Sequence, residues 1–67
     1  MTLAALHSLA PMTSTVQSMT KWIDTLETAA LGASPRDCVA IHDLLTEAEY
    51  VLAQCKAREG RHLARAA

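Results

Sequence analysis

The sequence predicts an all-α protein whose body is one antiparallel helical hairpin. Three observations predict it. Two apolar seams repeat at alternating intervals of three and four residues, the spacing of heptad a and d positions. A Gly-x-x-Pro break, Gly32-Ala33-Ser34-Pro35, separates them. The chain is 51 % hydrophobic but only 3 % aromatic, and an excess of Ala and Leu suits packed helices better than strands.

The elements follow in order. Residues 1–12 form an N-terminal segment that is either a short helix docked on the body, with Leu3, Leu6 and Leu9/Ala10 on one side, or frayed, because a helix this short is marginal alone. The first long helix is expected over about 14–31. Ser14 with Gln17 matches a capping box, and Val16, Met19, Ile23, Leu26 and Ala30 form the seam. Thr15, Trp22 and Ala29 widen it at g positions, and Gly32 offers a left-handed C′ stop. The second helix is expected over about 35–59. Ser34 serves as N-cap, Pro35 as N1, and Asp37 at N3 meets the positive end of the helix dipole. Its seam is Cys38, Ile41, Leu45, Ala48, Leu52 and Cys55, flanked at g by Leu44 and Val51, and Gly60 reads as its C′ residue. The hairpin thus occupies 13–60, and 61–67 is a basic, solvated tail.

A linker of about three residues makes the two helices antiparallel neighbours. Each a/d/g stripe is wider than one sister helix can bury. Pairing of two hairpins into a four-helix bundle, or docking on a concave partner, would cover the remainder. The expected interaction or dimer face is therefore Val16, Met19, Trp22, Ile23 and Leu26 on the first helix. On the second it is Ile41, Leu44, Leu45, Val51 and Leu52. Trp22, Met19, Leu44 and Val51 are the first candidates for contact with a partner.

Length and composition restrict the alternatives. At 67 residues the chain is one small domain, of a size that folds marginally unless something cross-links or covers it. Its two cysteines, Cys38 and Cys55, fall on one helix about 25 Å apart, too far for an intrachain disulfide. A reducing compartment, the cytoplasm, is the expectation. His7, His42 and His62 are scattered, without the spacing of a zinc site, and no cofactor is expected. The net charge of −1 gives no global attraction to nucleic acid or membrane. The opening residues lack Lys and Arg and are interrupted by His7, Ser8 and Pro11, unlike a secretory signal.

Chemically interesting residues each have a plainer explanation. Cys38 and Cys55 occupy seam positions, where a free thiol packs as a small hydrophobe. His42 and Asp43 are adjacent on a helix and point about 100° apart, so they do not form an acid/base pair. Lys56, Arg58, Arg61 and Arg65 could meet phosphates, but no aromatic residue is interleaved among them. No Ser/His/Asp set, glycine-rich phosphate loop or carboxylate pair is present, and no enzymatic activity is expected.

Two family resemblances accompany these readings. Leu31-Gly32-Ala33-Ser34-Pro35 between two amphipathic helices resembles the small co-chaperone of the type III secretion needle subunit, which implies a hairpin that pairs with a larger helical-repeat chaperone. Cys38-Val39-Ala40-Ile41-His42-Asp43, with Tyr50, Cys55 and Arg58, resembles the second helix of the plasmid copy-number regulator Rop, which implies a dimeric four-helix bundle that binds paired RNA loops. The first helix departs from the latter, since Lys21 is its only cation against Asp24 and Glu27. The expected function is a non-enzymatic adaptor or inhibitor, of the sort phages and mobile elements encode, that covers an apolar surface of a protein partner. A Rop-like homodimeric RNA-binding regulator is the alternative.

Overall fold

The computed structural model describes the backbone of residues 2–66 and the side chains of residues 2–61. Among the described residues there are three helices and no strand: α1 (Leu3–Ser8), α2 (Val16–Leu31) and α3 (Pro35–Ala66). The chain is all-α. Its extents are 47 × 17 × 13 Å, and the long dimension is that of α3, whose 32 residues span about 48 Å.

α1 is only six residues long and could not persist alone. Thr2 caps it by accepting from the Ala5 N–H at 3.1 Å. Leu6, 1 % exposed, joins the core and docks the helix on the body, with Leu3 packed beside it.

α2 begins later than the sequence suggested. The capping box is Thr15 with Ser18, not Ser14 with Gln17. Thr15 Oγ1 accepts from the Ser18 N–H at 3.0 Å, and Ser18 Oγ accepts from the Thr15 N–H at 2.9 Å. Thr15 is therefore extended backbone and not a helical g residue. Ser18 can fill the third helical position because its hydroxyl also donates to the Thr13 carbonyl at 2.7 Å, which fixes its orientation. Gly32 does end α2, but with φ −109° and ψ 8°, so the stop does not use the left-handed conformation. The turn closes instead by a bond from the Ala33 N–H to the Ala30 carbonyl at 3.3 Å.

α3 starts as expected. Ser34 Oγ accepts from the Asp37 N–H at 3.2 Å, the Ser34 carbonyl accepts from the Cys38 N–H at 2.8 Å, and Asp37 supplies the acidic first turn. It does not stop at Gly60. The helix runs on to Ala66, so the expected boundary at 59 is corrected by about seven residues. One mid-helix glycine costs only about 1 kcal/mol relative to alanine, and the good helix formers Ala57, Arg58, Glu59 and Arg61 surround it.

The core joins all three helices. Leu6 of α1, Met19, Trp22 and Leu26 of α2, and Ile41, Ala48 and Cys55 of α3 form one buried cluster. α2 and α3 lie along one another. Two long-range bonds tie the beginning of α2 to the far part of α3. Glu59 Oε2 accepts from the Val16 N–H at 2.8 Å, and the Arg58 guanidinium donates to the Ser14 carbonyl at 2.7 Å. At the other end, the Cys38 thiol in the first turn of α3 lies 3.5 Å from the Ala30 carbonyl near the end of α2. Residues 60–66 of α3 lie beyond the last of these ties.

Candidate partner-binding face

Helical geometry divides each long helix into a buried centre and two flanks. At 100° per residue, Met19, Trp22 and Leu26 form the centre of the α2 stripe. Ala29 continues it on the Trp22 side, and Val16, Ile23 and Ala30 lie on the opposite side, all of them half-buried. On α3 the centre is Ile41, Ala48 and Cys55. Leu44 and Val51 flank it on one side, and Cys38, Leu45 and Leu52 on the other, again half-buried.

The N-terminal segment decides which flank is covered. Leu3 and Leu6 share one cavity with Ala29 and Ile41. His7, Ala10 and Pro11 share a second with Trp22, Leu44 and Val51. α1 and the chain after it therefore lie over the Trp22–Ala29 flank of α2 and the Leu44–Val51 flank of α3. By the same helical geometry Val16, Ile23 and Ala30 face the same side as Cys38, Leu45 and Leu52, and none of these six lines either cavity that the N-terminal segment shares.

Each residue expected to meet a partner can now be placed. Met19, Trp22, Leu26 and Ile41 are inside the chain's own core, with Leu26 fully buried and Trp22 only 7 % exposed. Leu44 and Val51 are half-buried beneath the N-terminal segment. Val16, Ile23, Leu45 and Leu52 are half-buried on the open side. The g-position residues Trp22, Leu44 and Val51 thus face α1 and the residues after it, and the uncovered part of the stripe lies on the a/d side. Val39 and Tyr50, each 66 % exposed, stand apart from both flanks on α3.

Other candidate groups are dispersed. Cys55 is buried and Cys38 half-buried, both as free thiols. His42 and Asp43 are exposed on α3, and Thr46 donates to the His42 carbonyl at 3.0 Å. Thr20, Thr25 and Thr28 turn their hydroxyls back to carbonyls one helical turn earlier, at 2.7–3.0 Å. Among the described residues no group of three His, Cys, Asp or Glu side chains converges as a metal site would require. No described helix is long and apolar enough to cross a membrane.

Of the cations proposed for phosphate contact, Lys56, Arg58 and Arg61 are exposed, and the side chain of Arg65 lies outside the described residues. Arg58 donates to the Ser14 carbonyl and also approaches Cys55 Sγ at 3.6 Å.

Of the two alternatives that the sequence offered for the N-terminal segment, the docked helix is the one formed, with Leu3 and Leu6 one turn apart and Thr2 as its cap. One structural contribution was missed in the sequence. The bond from Val16 to Glu59 had no signal, because a sequence separation of 43 residues carries no local pattern. Comparison of the chain with protein-family models, with curated proteins and with solved structures finds no significant match.

Proposed function

We propose that the chain is a non-enzymatic protein-binding adaptor or inhibitor. In this reading α2 and α3 act as an antiparallel hairpin whose open flank, Val16, Ile23, Ala30, Leu45 and Leu52, packs against helices of a protein partner. A second hairpin of the same chain, completing a four-helix bundle, satisfies the same chemistry.

The observation that carries the reading is the half-buried apolar row on the side of the helix pair away from α1. Apolar side chains left partly in water gain about 25 cal/mol for each Å² that a partner removes from solvent, and contiguous rows of this kind mark association surfaces. The row is built from both long helices, so a partner helix laid between them would touch Ile23 and Leu45 together.

Ile23→Lys combined with Leu52→Lys tests it. Both positions are half-buried, and a lysine stem can lie along the apolar flank with its ammonium in water, so the helical fold is retained. Sedimentation of wild type over a wide concentration range should show self-association that the double variant lacks. If wild type stays monomeric, one protein captured from host lysate should be lost with the double variant and kept with Gln54→Ala on the outward face. A monomer whose captured proteins are the same for all three would overturn the reading. Recovery of RNA that is released by moderate salt would favour the nucleic-acid alternative.

A further inference from the structure

The side of the helix pair under α1 carries a second, separate inference. We propose that the groove between α2 and α3 on that side receives a basic amphipathic helix of a partner protein, and that α1 is the chain's built-in competitor for it.

α1 shows what the groove accepts. A six-residue helix sits there with Leu6 fully inserted and Leu3, one turn earlier, half-buried against the core. Leucines three residues apart are the minimal apolar face of a helix laid into a groove. The fit is incomplete at both ends. A cavity of about 450 Å³ remains around Leu3, bounded by Ala29 and Ile41. Another of about 210 Å³ remains beside His7 and Pro11, over Trp22, Leu44 and Val51. Both are clefts open to solvent on one side and not closed voids. A helix of three or four turns with further large apolar residues at i+3, i+4 and i+7 would fill what α1 leaves open.

The charge of the walls selects the partner. Asp24 and Asp37 line the first cavity and Glu47 the second, and neither lining includes a lysine or arginine. The resident segment, residues 2–12, contains no lysine or arginine either. His7 is its one basic side chain, beside Glu47 in the second cavity, and Asp37 also faces the positive end of the α3 dipole, so the segment brings no permanent cation to Asp24 and Asp37. A competitor helix with Lys or Arg beside its apolar stripe would gain contacts that α1 cannot make. Electrostatic complementarity of this kind sets partner choice and association rate.

α1 is also suited to leave. A helix this short has little stability of its own, one fully buried side chain holds it, and the connection through Pro11 to Thr15 is not helical. Trp22 lies beneath that connection and is the chain's only tryptophan, which gives an internal reporter.

The probe is a synthetic helix of three to four turns with leucines on one face and lysines on the other, and a matched leucine/glutamate peptide is the control. Trp22 emission is followed as each is added to the full chain and to Leu6→Ala, whose helicity is first checked by circular dichroism. The leucine/lysine peptide should bind saturably, bind Leu6→Ala about tenfold or more tighter than wild type, and weaken as salt is raised. The control should not bind. Equal affinity for the two proteins, or for the two peptides, would overturn the proposal.

Should Leu6→Ala lose its helicity, hydrogen exchange on wild type decides. The Ala5 and Leu6 amides, bonded to Thr2 in the free chain, should lose protection when the peptide binds, and unchanged protection would overturn the proposal. A wild-type dimer that Leu6→Ala converts to monomer, with no peptide binding, would assign the groove to α1 of a second copy and likewise overturn it. Variants of Ile23 and Leu52 leave this groove intact, so its failure is distinguishable from failure of the open-flank reading.

Discussion

Replacing Glu59 by alanine tests whether the far part of α3 organises the start of α2. A helix N-terminus leaves four N–H groups without intrahelical partners. Here Thr15 Oγ1 satisfies the one on Ser18, and the Glu59 carboxylate satisfies the one on Val16 at 2.8 Å. A hydrogen bond to a charged group contributes about 1.5–3 kcal/mol when well shielded. Glu59 is half-buried, and holding a long side chain in one rotamer costs entropy, so the expected loss falls to about 1–2 kcal/mol. The interaction of a carboxylate with the helix dipole, about 0.3–1 kcal/mol, is contained in that figure. For a domain of this size each kcal/mol shifts the melting temperature by about 4–8 °C, so Tm should fall by roughly 4–16 °C. Urea and thermal unfolding followed at the helical circular-dichroism band provide the measurement, at fixed protein concentration because association would add to apparent stability. Glu59→Gln keeps an oxygen acceptor without the charge and should lose about half as much. Gln54→Ala, on the outward face of the same helix, is the control. If Glu59→Ala lies within about 0.5 kcal/mol of wild type, the range of ordinary surface substitutions, the tie between α3 and α2 contributes nothing and the reasoning fails.

Two further outcomes are expected. Leu26→Ala removes the most deeply buried side chain of α2 and should cost about 3–4 kcal/mol in urea unfolding, from lost burial plus the cavity left behind; a cost below about 1.5 kcal/mol would mean that the core collapses around the gap. Gly60→Ala should stabilise the chain by about 0.5–1 kcal/mol, because the position is helical and an added Cβ meets nothing within 4 Å. Destabilisation by that substitution would restore Gly60 as a helix stop.

Local chemistry made much of the fold legible. The start of α3 was readable because Ser34, Pro35 and Asp37 act within one turn of each other. The buried centres were readable too: Met19, Leu26, Ile41, Ala48 and Cys55 all lie on the heptad seams. Helix ends were less so. Serine and threonine are interchangeable as caps, and in Ser14-Thr15-Val16-Gln17-Ser18 two overlapping boxes are available. The choice between them coincides with long-range bonds, since the Ser14 carbonyl is held by Arg58 and the Val16 N–H by Glu59. Gly60 was misread because glycine permits a stop without requiring one.

The helical class, the break at Gly32–Pro35 and the residues that line the apolar stripes are all legible along the chain, since propensity, capping and periodicity act over one or two turns. Which half of those stripes is covered depends on packing between distant segments. Trp22, Leu44 and Val51 are as apolar as Ile23, Leu45 and Leu52, so composition cannot rank the two flanks. His7, Ala10 and Pro11 lie beside the first set while Leu6 of the same segment is anchored in the core, contacts between segments far apart in the chain whose geometry is set by packing.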